Sequence, residues 1–235
     1  MIRKPVPLVL LPAMGCDGQL WARQIVDLAD ITHPELGDLS VDATLAGMAA
    51  RVLAHAPPRF AVAGVSLGGY VALEMVRQAP DRIDRVALLG TRATMQTRPR
   101  TVSEQGLLAT APHADPMLTS IISGPVQAMA ERVGAAVFER QQRALLARPD
   151  IEPAIAAVHV PTLVAVGDRD RICLPADARA LADRISHSKF YELRRCGHLA
   201  PLERPGEVTM LLRQWLLNAP DPAGSFHELA RGLHL

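Results

Sequence analysis

Phe60-Ala61-Val62-Ala63-Gly64-Val65-Ser66-Leu67-Gly68-Gly69-Tyr70 is the stretch whose reading decides the fold. An apolar run with β-branched residues is stopped by glycine, a single serine follows, and two more glycines open a stretch of helical period from Tyr70 to Gln78. This is Gly-X-Ser-X-Gly set between a buried strand and a helix. A serine at the tip of such a turn is held in a strained conformation with its hydroxyl presented outward, and Gly64 and Gly68 leave room for the helix to cross the strand closely. The same residues also suit a plain glycine-rich turn in which Ser66 caps the helix, since serine is a favoured N-cap. The partners of Ser66 have to decide between the two.

Outward from this stretch, strands and helices alternate. Residues 6–11 form a strand, and the loop Pro12 to Gly18 leads into a helix over about residues 19–29, with Leu20, Ile25 and Leu28 on one side and Trp21 adjoining. A weaker strand is expected at 31–35, then a helix over 42–54 capped by Ser40 or Asp42 and ended by Pro57-Pro58. After the helix that follows Ser66, a strand occupies 85–90. From Thr91 to about His159 apolar and polar residues mix at helical spacing and prolines recur, which reads as an insertion of short helices. Strand 162–166, helix 175–185, strand 189–193 and helix 205–218 complete the pattern. Alternation of this kind implies a mainly parallel sheet with right-handed crossovers and helices on both faces. The expected division is a body of residues 1–93 and 158–220, a helical cap of residues 94–157 and a tail of residues 221–235.

Composition narrows the function classes. The 235 residues exceed the ~100–200 of one ordinary domain and are 49% hydrophobic, enough for one sizeable core with an insertion. Twenty-five basic residues face 24 acidic ones without long blocks of either sign, so no nucleic-acid or anionic-membrane partner is implied. Three scattered cysteines, Cys16, Cys173 and Cys196, argue against a disulfide framework and against paired zinc ligands, and suggest the cytoplasm. Residues 1–14 carry two charges before an apolar stretch, as a secretory signal does, but two prolines interrupt it and Gly15-Cys16-Asp17 follows, so a strand is the better reading. No run approaches the ~18 apolar residues of a membrane span.

In an open α/β sheet the chemistry lies at the carboxyl ends of the strands. Four loops leave strands there: Pro12-Ala13-Met14-Gly15, the turn at Ser66, Gly167-Asp168-Arg169-Asp170, and Arg194-Arg195-Cys196-Gly197-His198. Serine, aspartate and histidine follow one another in the chain. Of eight histidines only His198 stands in such a loop; the other seven read as surface or structural. Asp168 and Asp170 compete for the role of acid, with Asp170 favoured and Asp168 expected to pair locally with Arg169. Arg92, at the end of the fourth strand, is placed to hold a substrate carboxylate, although a solvated or salt-bridged arginine is the commoner outcome. The run Arg140-Gln141-Gln142-Arg143 is most simply a polar helix face.

From Val6 to Asn218 the chain resembles the α/β-hydrolase fold family. Gly64-Val65-Ser66-Leu67-Gly68 matches its nucleophile elbow, Gly167-Asp168-Arg169-Asp170 its strand-end acid, and Gly197-His198 its histidine loop. Two departures stand out: the usual first two strands are missing, leaving about six, and Pro12-Ala13 replaces the common His-Gly of the oxyanion loop. The resemblance implies a catalytic triad of Ser66, Asp170 and His198, with the backbone N–H groups of Met14 and Leu67 as oxyanion donors, and no metal or organic cofactor. It implies hydrolysis of a carboxylic ester or thioester of a small-molecule substrate through an acyl-serine. Carbon–carbon bond hydrolysis with the same triad, or a small-molecule sensor with an idle triad, are the alternatives that fold alone leaves open. Some of the apolar residues of the cap, with Met117, Ile121 and Met129 as candidates, are expected to face the pocket and to favour small or medium, mainly apolar substrates. Oligomeric state is not legible.

Overall fold

The computed structural model describes residues 6–93, 116–148 and 150–217, with backbone alone for 116–121. Six strands, β1 (Leu8–Leu11), β2 (Pro34–Leu36), β3 (Phe60–Val65), β4 (Ile83–Leu89), β5 (Thr162–Gly167) and β6 (Ser188–Leu193), form one sheet in the order β2-β1-β3-β4-β5-β6. Every pairing is parallel. The described helices are α1 (Ala22–Asp27), α2 (Leu45–His55), α3 (Leu67–Gln78), α4 (Pro116–Val133), α5 (Ala135–Leu146), α6 (Glu152–Ala156), α7 (Pro175–Ala182), α8 (Ala200–Glu203) and α9 (Pro205–Leu217).

Strands β1, β3 and β5 are buried at every residue, as parallel strands covered on both faces must be. Their alternation divides the core in two. Leu8, Leu10, Ala61, Ala63, Val65, Leu89 and Ala165 face Trp21, Leu28, Leu212 and Trp215. Val9, Leu11, Val62, Leu88, Val164 and Val166 face Met48 and Val52 of α2, Val71 and Met75 of α3, and Leu181 of α7. Each fully buried valine or leucine stabilises the fold by ~1.5–3 kcal/mol, so the two layers together hold the sheet rigid beneath the rim. The chain leaves β1 toward β2 on one side and returns to β3 on the other, so the crevice between β1 and β3 is the switch point at which such folds bind ligands.

Several boundaries differ from expectation. The helix expected over 19–29 is broken: Asp17 caps a 3-10 turn, Gly18–Trp21, by accepting from Gln19 N–H at 2.9 Å, and α1 follows. The turn directs the buried indole of Trp21 at Leu11, whose carbonyl accepts its N–H at 3.2 Å. Helix α2 is capped by Thr44, which accepts from Gly47 N–H at 3.0 Å, rather than by Ser40 or Asp42; Asp42 instead pairs with Arg51. Helix α3 begins at Leu67 rather than Tyr70, because Gly68 and Gly69 lie inside its first turn. The second strand is shifted to Pro34–Leu36, with Thr32 before it bonded to the Val6 carbonyl.

Between β4 and β5 lie α4 and α5, which lean on the loops at the carboxyl rim. Arg132 of α4 pairs with Asp17 at 2.6 Å, and Arg140 of α5 donates to the Ser40 carbonyl at 3.1 Å. Met129 is fully buried in the same layer as Ala13, Cys16 and Leu199. Ile151, Ala154 and Ile155, around α6, pack into the layer of α3, so this last turn of the expected cap sits with the body. Residues 94–115, the side chains of Met117 and Ile121, and the tail lie outside the described residues. Among the described residues no helix is long and apolar enough to cross a membrane.

Candidate active site

Strand β3 hands over to α3 through Ser66, whose backbone stands at φ 52° and ψ −109°. A non-glycine residue held there costs about 1–3 kcal/mol and persists only where its surroundings over-determine it. They do so here. Ser66 N–H donates to Leu89 O at 2.9 Å, while Ser66 O accepts from Gly69 and Tyr70 N–H at 2.9 and 3.2 Å. A Cβ on Gly64 would lie 2.2 Å from the carbonyl carbon of Gly68, and one on Gly68 would lie 2.4 Å from Leu11 O. Both glycines are therefore required by the approach of α3 to the strands. Ser66 makes no side-chain cap bond, so its hydroxyl is not spent on the helix, which disposes of the capping alternative.

At the same rim, Asp170 Oδ2 and His198 Nδ1 stand 2.7 Å apart with both residues buried. The other carboxylate oxygen of Asp170, Oδ1, accepts from Ile172 and Cys173 N–H at 2.8 and 2.9 Å, which fixes the carboxylate plane. Asp168 is elsewhere: its Oδ1 accepts from Cys196 N–H at 3.0 Å and ties the two loops together. Gly167 lets them meet, since a Cβ there would lie 2.1 Å from Cys196 O. The distal nitrogen of the histidine, Nε2, is buried without a hydrogen-bond partner among the described residues. A buried polar atom left unpaired calls for an explanation.

Two further residues hold this pair. Glu203, buried in α8, accepts from the N–H groups of Gly197 and Leu199, on either side of His198. Gly90, at φ 56°, lies behind the ring: an added Cβ would be 3.1 Å from His198 Cε1 and Nδ1 and 3.4 Å from Asp170 Oδ2. Gly90→Ala is expected to lower stability by roughly 1–2 kcal/mol through the left-handed backbone alone. It also displaces the imidazole; since ~1 Å of misplacement can cost ~10²-fold, a drop in kcat of about tenfold is expected. Thermal unfolding and steady-state rates measure the two separately, and an unchanged kcat would show that the ring tolerates displacement.

The third loop brings Met14. Residues Ala13 to Cys16 form a turn closed by Cys16 N–H donating to Ala13 O at 3.1 Å, and Gly15 N–H donates to Gln141 Oε1 of α5 at 2.9 Å. Neither Met14 N–H nor Leu67 N–H has a hydrogen-bond acceptor among the described residues. Leu67 N–H stands at the N-terminus of α3, where backbone donors have no partner within the helix.

A model of the alpha/beta hydrolase family matches residues 8–210. The chain belongs to the alpha/beta hydrolase family. Over 239 aligned residues it is 27% identical to the pimeloyl-[acyl-carrier protein] methyl ester esterase of Aromatoleum aromaticum, covering 87% of this chain and 96% of that protein. It is 25% identical over 166 residues to 3-oxoadipate enol-lactonase 2 of Acinetobacter baylyi, covering 63% of this chain and 60% of that one. Among solved structures it is similar to the enol-lactonase from Burkholderia xenovorans, with a TM-score of 0.77 at 22% identity over 91% of this chain and 92% of the other.

The remaining chemistry-bearing residues of this hydrolase fall into place around the site. All three cysteines are free and buried. Burial, with Asp17 adding to it, pushes the Cys16 thiol up to about 12, and burial raises Cys173 and Cys196 as well. Since the thiolate is the nucleophilic form, none of the three is a nucleophile near neutrality. Arg92 donates to Ile172 O at 3.1 Å, bracing the acid loop. Gln141 corrects the sequence reading of a polar helix face: it is 2% exposed, its amide caught between Gly15 N–H and Leu39 O. Neither Gln141 nor Glu203 was singled out as part of the site. For Glu203 a signal was present, an acidic residue five positions beyond His198 in an otherwise apolar Leu-Ala-Pro-Leu run. For Gln141 there was none, since its partners lie more than 100 residues away.

Proposed function

We propose that this hydrolase cleaves a carboxylic ester of a small to medium, mainly apolar substrate through an acyl-serine intermediate. The observation that carries the reading is the conjunction of a strained, uncommitted Ser66 with a buried His198–Asp170 pair whose Nε2 is unpartnered among the described residues, all on loops of the carboxyl rim. Ser66 Oγ attacks the ester carbonyl while His198 Nε2 takes its proton, because a hydroxyl is too weak a nucleophile at neutral pH to attack unaided. Asp170 accepts from Nδ1–H and stabilises the imidazolium. The oxyanion is met by the N–H groups of Met14 and Leu67. One such donor is worth roughly 2.7–4 kcal/mol in comparable acyl-transfer enzymes. As the tetrahedral intermediate collapses, Nε2 gives its proton to the departing alkoxide, leaving Ser66 acylated. Water then repeats the sequence: Nε2 takes its proton, the hydroxide adds, and Ser66 leaves reprotonated with release of the acid.

The helices over the rim supply the substrate's walls in this reading. Phe138 closes over Gly15 in the loop after β1, and Met129 is buried in the same layer as Ala13 and Cys16 of that loop, a flat ring and an adaptable thioether on the acyl side in this reading. The esterase and enol-lactonase relatives support an oxygen ester over a carbon–carbon bond. Labelling with a fluorophosphonate probe followed by peptide mass spectrometry tests the nucleophile. The same preparation is assayed on aryl esters, acyl thioesters and ring-cleavage diketones. Modification at Ser66 with rapid turnover of the esters is the expected result. Turnover confined to diketones would move the assignment to carbon–carbon hydrolysis, and ligand-dependent partner binding without any turnover would make the protein a sensor.

A further inference from the structure

We propose that Gln141 is the positioning residue of the oxyanion site: by holding Gly15 N–H it aims the adjacent N–H of Met14. The inference rests on the reading of Ser66 as nucleophile and Met14 as donor.

The argument starts from the amide. Gln141 is 2% exposed, and both ends of its side chain are engaged, Oε1 by Gly15 N–H at 2.9 Å and Nε2 by Leu39 O at 3.2 Å. With a donor required on one side and an acceptor on the other, the amide has one orientation. Gly15 stands at φ 71°, and a Cβ there would lie 3.2 Å from Phe138 Cδ2, so the ring one turn before Gln141 closes over the glycine. In the turn Ala13 to Cys16 the N–H of Cys16 is fixed by Ala13 O and that of Gly15 by Gln141. The Met14 N–H lies in the Ala13–Met14 peptide plane, whose carbonyl is held by Cys16 N–H; holding the next plane through Gly15 N–H confines the φ and ψ of Met14 that join the two, and with them the direction of its N–H. An apolar side chain at 141 would fill the space but leave Gly15 N–H buried and unpaired, free to turn toward another acceptor. The loop has no other described side chain bonded to its N–H groups between Ala13 and Cys16.

The full chain is tested as Gln141→Met, which removes the acceptor at nearly constant volume, and as Gln141→Asn, which keeps the amide but is one methylene short. Because ~1 Å of misplacement at a reacting centre can cost ~10²-fold, kcat on an aryl ester is expected to fall about 10- to 100-fold in both. KM is expected to stay within about threefold, since only transition-state interactions are lost. An alkyl trifluoromethyl ketone reads the donor directly: Ser66 Oγ adds to its carbonyl, the proton passes to His198 Nε2, and the resulting oxyanion needs the donors. Its affinity should fall in parallel with kcat, whereas that of the unfluorinated ketone should not. Arg140→Gln and Arg132→Gln, which cut the neighbouring bonds to Ser40 O and Asp17, are the controls and should leave both quantities within about twofold. The proposal is overturned if neither Gln141 variant changes trifluoromethyl-ketone affinity, or if the arginine variants lower it as much. Wild-type protein that neither turns over esters nor is labelled at Ser66 would instead remove the underlying reading, and this inference with it.

Discussion

Ser66→Ala is expected to abolish ester turnover, by something like 10⁶-fold as for the loss of a nucleophile in serine enzymes, while leaving the fold as stable as before. The catalytic side of the expectation follows from the site having no substitute: the three thiols are held protonated by burial, and no other described hydroxyl stands at the turn after β3. The stability side follows from what the hydroxyl does not do. It makes no cap bond to α3, and alanine suffers the same backbone strain at φ 52° as serine, so no stabilising contact is lost. Unfolding free energy should change by no more than about 0.5 kcal/mol, the usual range for a substitution that touches no such feature. Single-turnover rates on an aryl ester and a denaturant titration of the same preparation read both sides. A clean variant retaining more than about one per cent of the rate, against a loss of that order, would end the acyl-serine mechanism.

The sheet and the meeting of Asp170 with His198 at its rim were legible because each rests on local signals that physics makes obligatory. Parallel strands buried on both faces must be apolar at every position, as β3 and β5 are, and a helix that crosses a strand at the distance of Gly64 and Gly68 admits no side chain at either. Ser66, Asp170 and His198 could be named because each closes a strand at the rim. The misread details depended on contacts distant in the chain. The 3-10 turn before α1 exists because Trp21 must reach Leu11 O, and Thr44 caps α2 because Asp42 is taken by Arg51. Gln141 looked like any polar residue on a helix; only the loop after β1, more than 100 positions earlier, reveals why it is buried. Asp168 and Asp170 share nearly the same local surroundings in the sequence, which favoured Asp170 without separating the two; the histidine loop separates them, Asp170 meeting the His198 ring and Asp168 the Cys196 N–H.

That separation leads to the second large effect. Asp170→Asn should lower turnover by about 10⁴-fold, the size seen when a triad aspartate is replaced by its amide, whereas Asp168→Asn should cost less than about tenfold. The structure dictates how each amide must turn. At position 170 two backbone donors, the N–H groups of Ile172 and Cys173, converge on Oδ1, so an asparagine keeps its oxygen there and points its NH₂ at His198 Nδ1. The imidazole can then meet it only by accepting, which places the ring proton on Nε2, the nitrogen that has to receive the proton of Ser66. The ring is held in place but carries its proton on the wrong side. At position 168 the one donor among the described residues, Cys196 N–H, is satisfied as well by an amide oxygen as by a carboxylate oxygen, and the NH₂ group displaces no other described donor. Nitrogen chemical shifts of the His198 ring distinguish the tautomers, and steady-state rates rank the variants. If Asp168→Asn proves the more damaging and Asp170→Asn leaves the His198 tautomer unchanged, the acid lies two residues upstream and the 2.7 Å pair between Asp170 and His198 is structural.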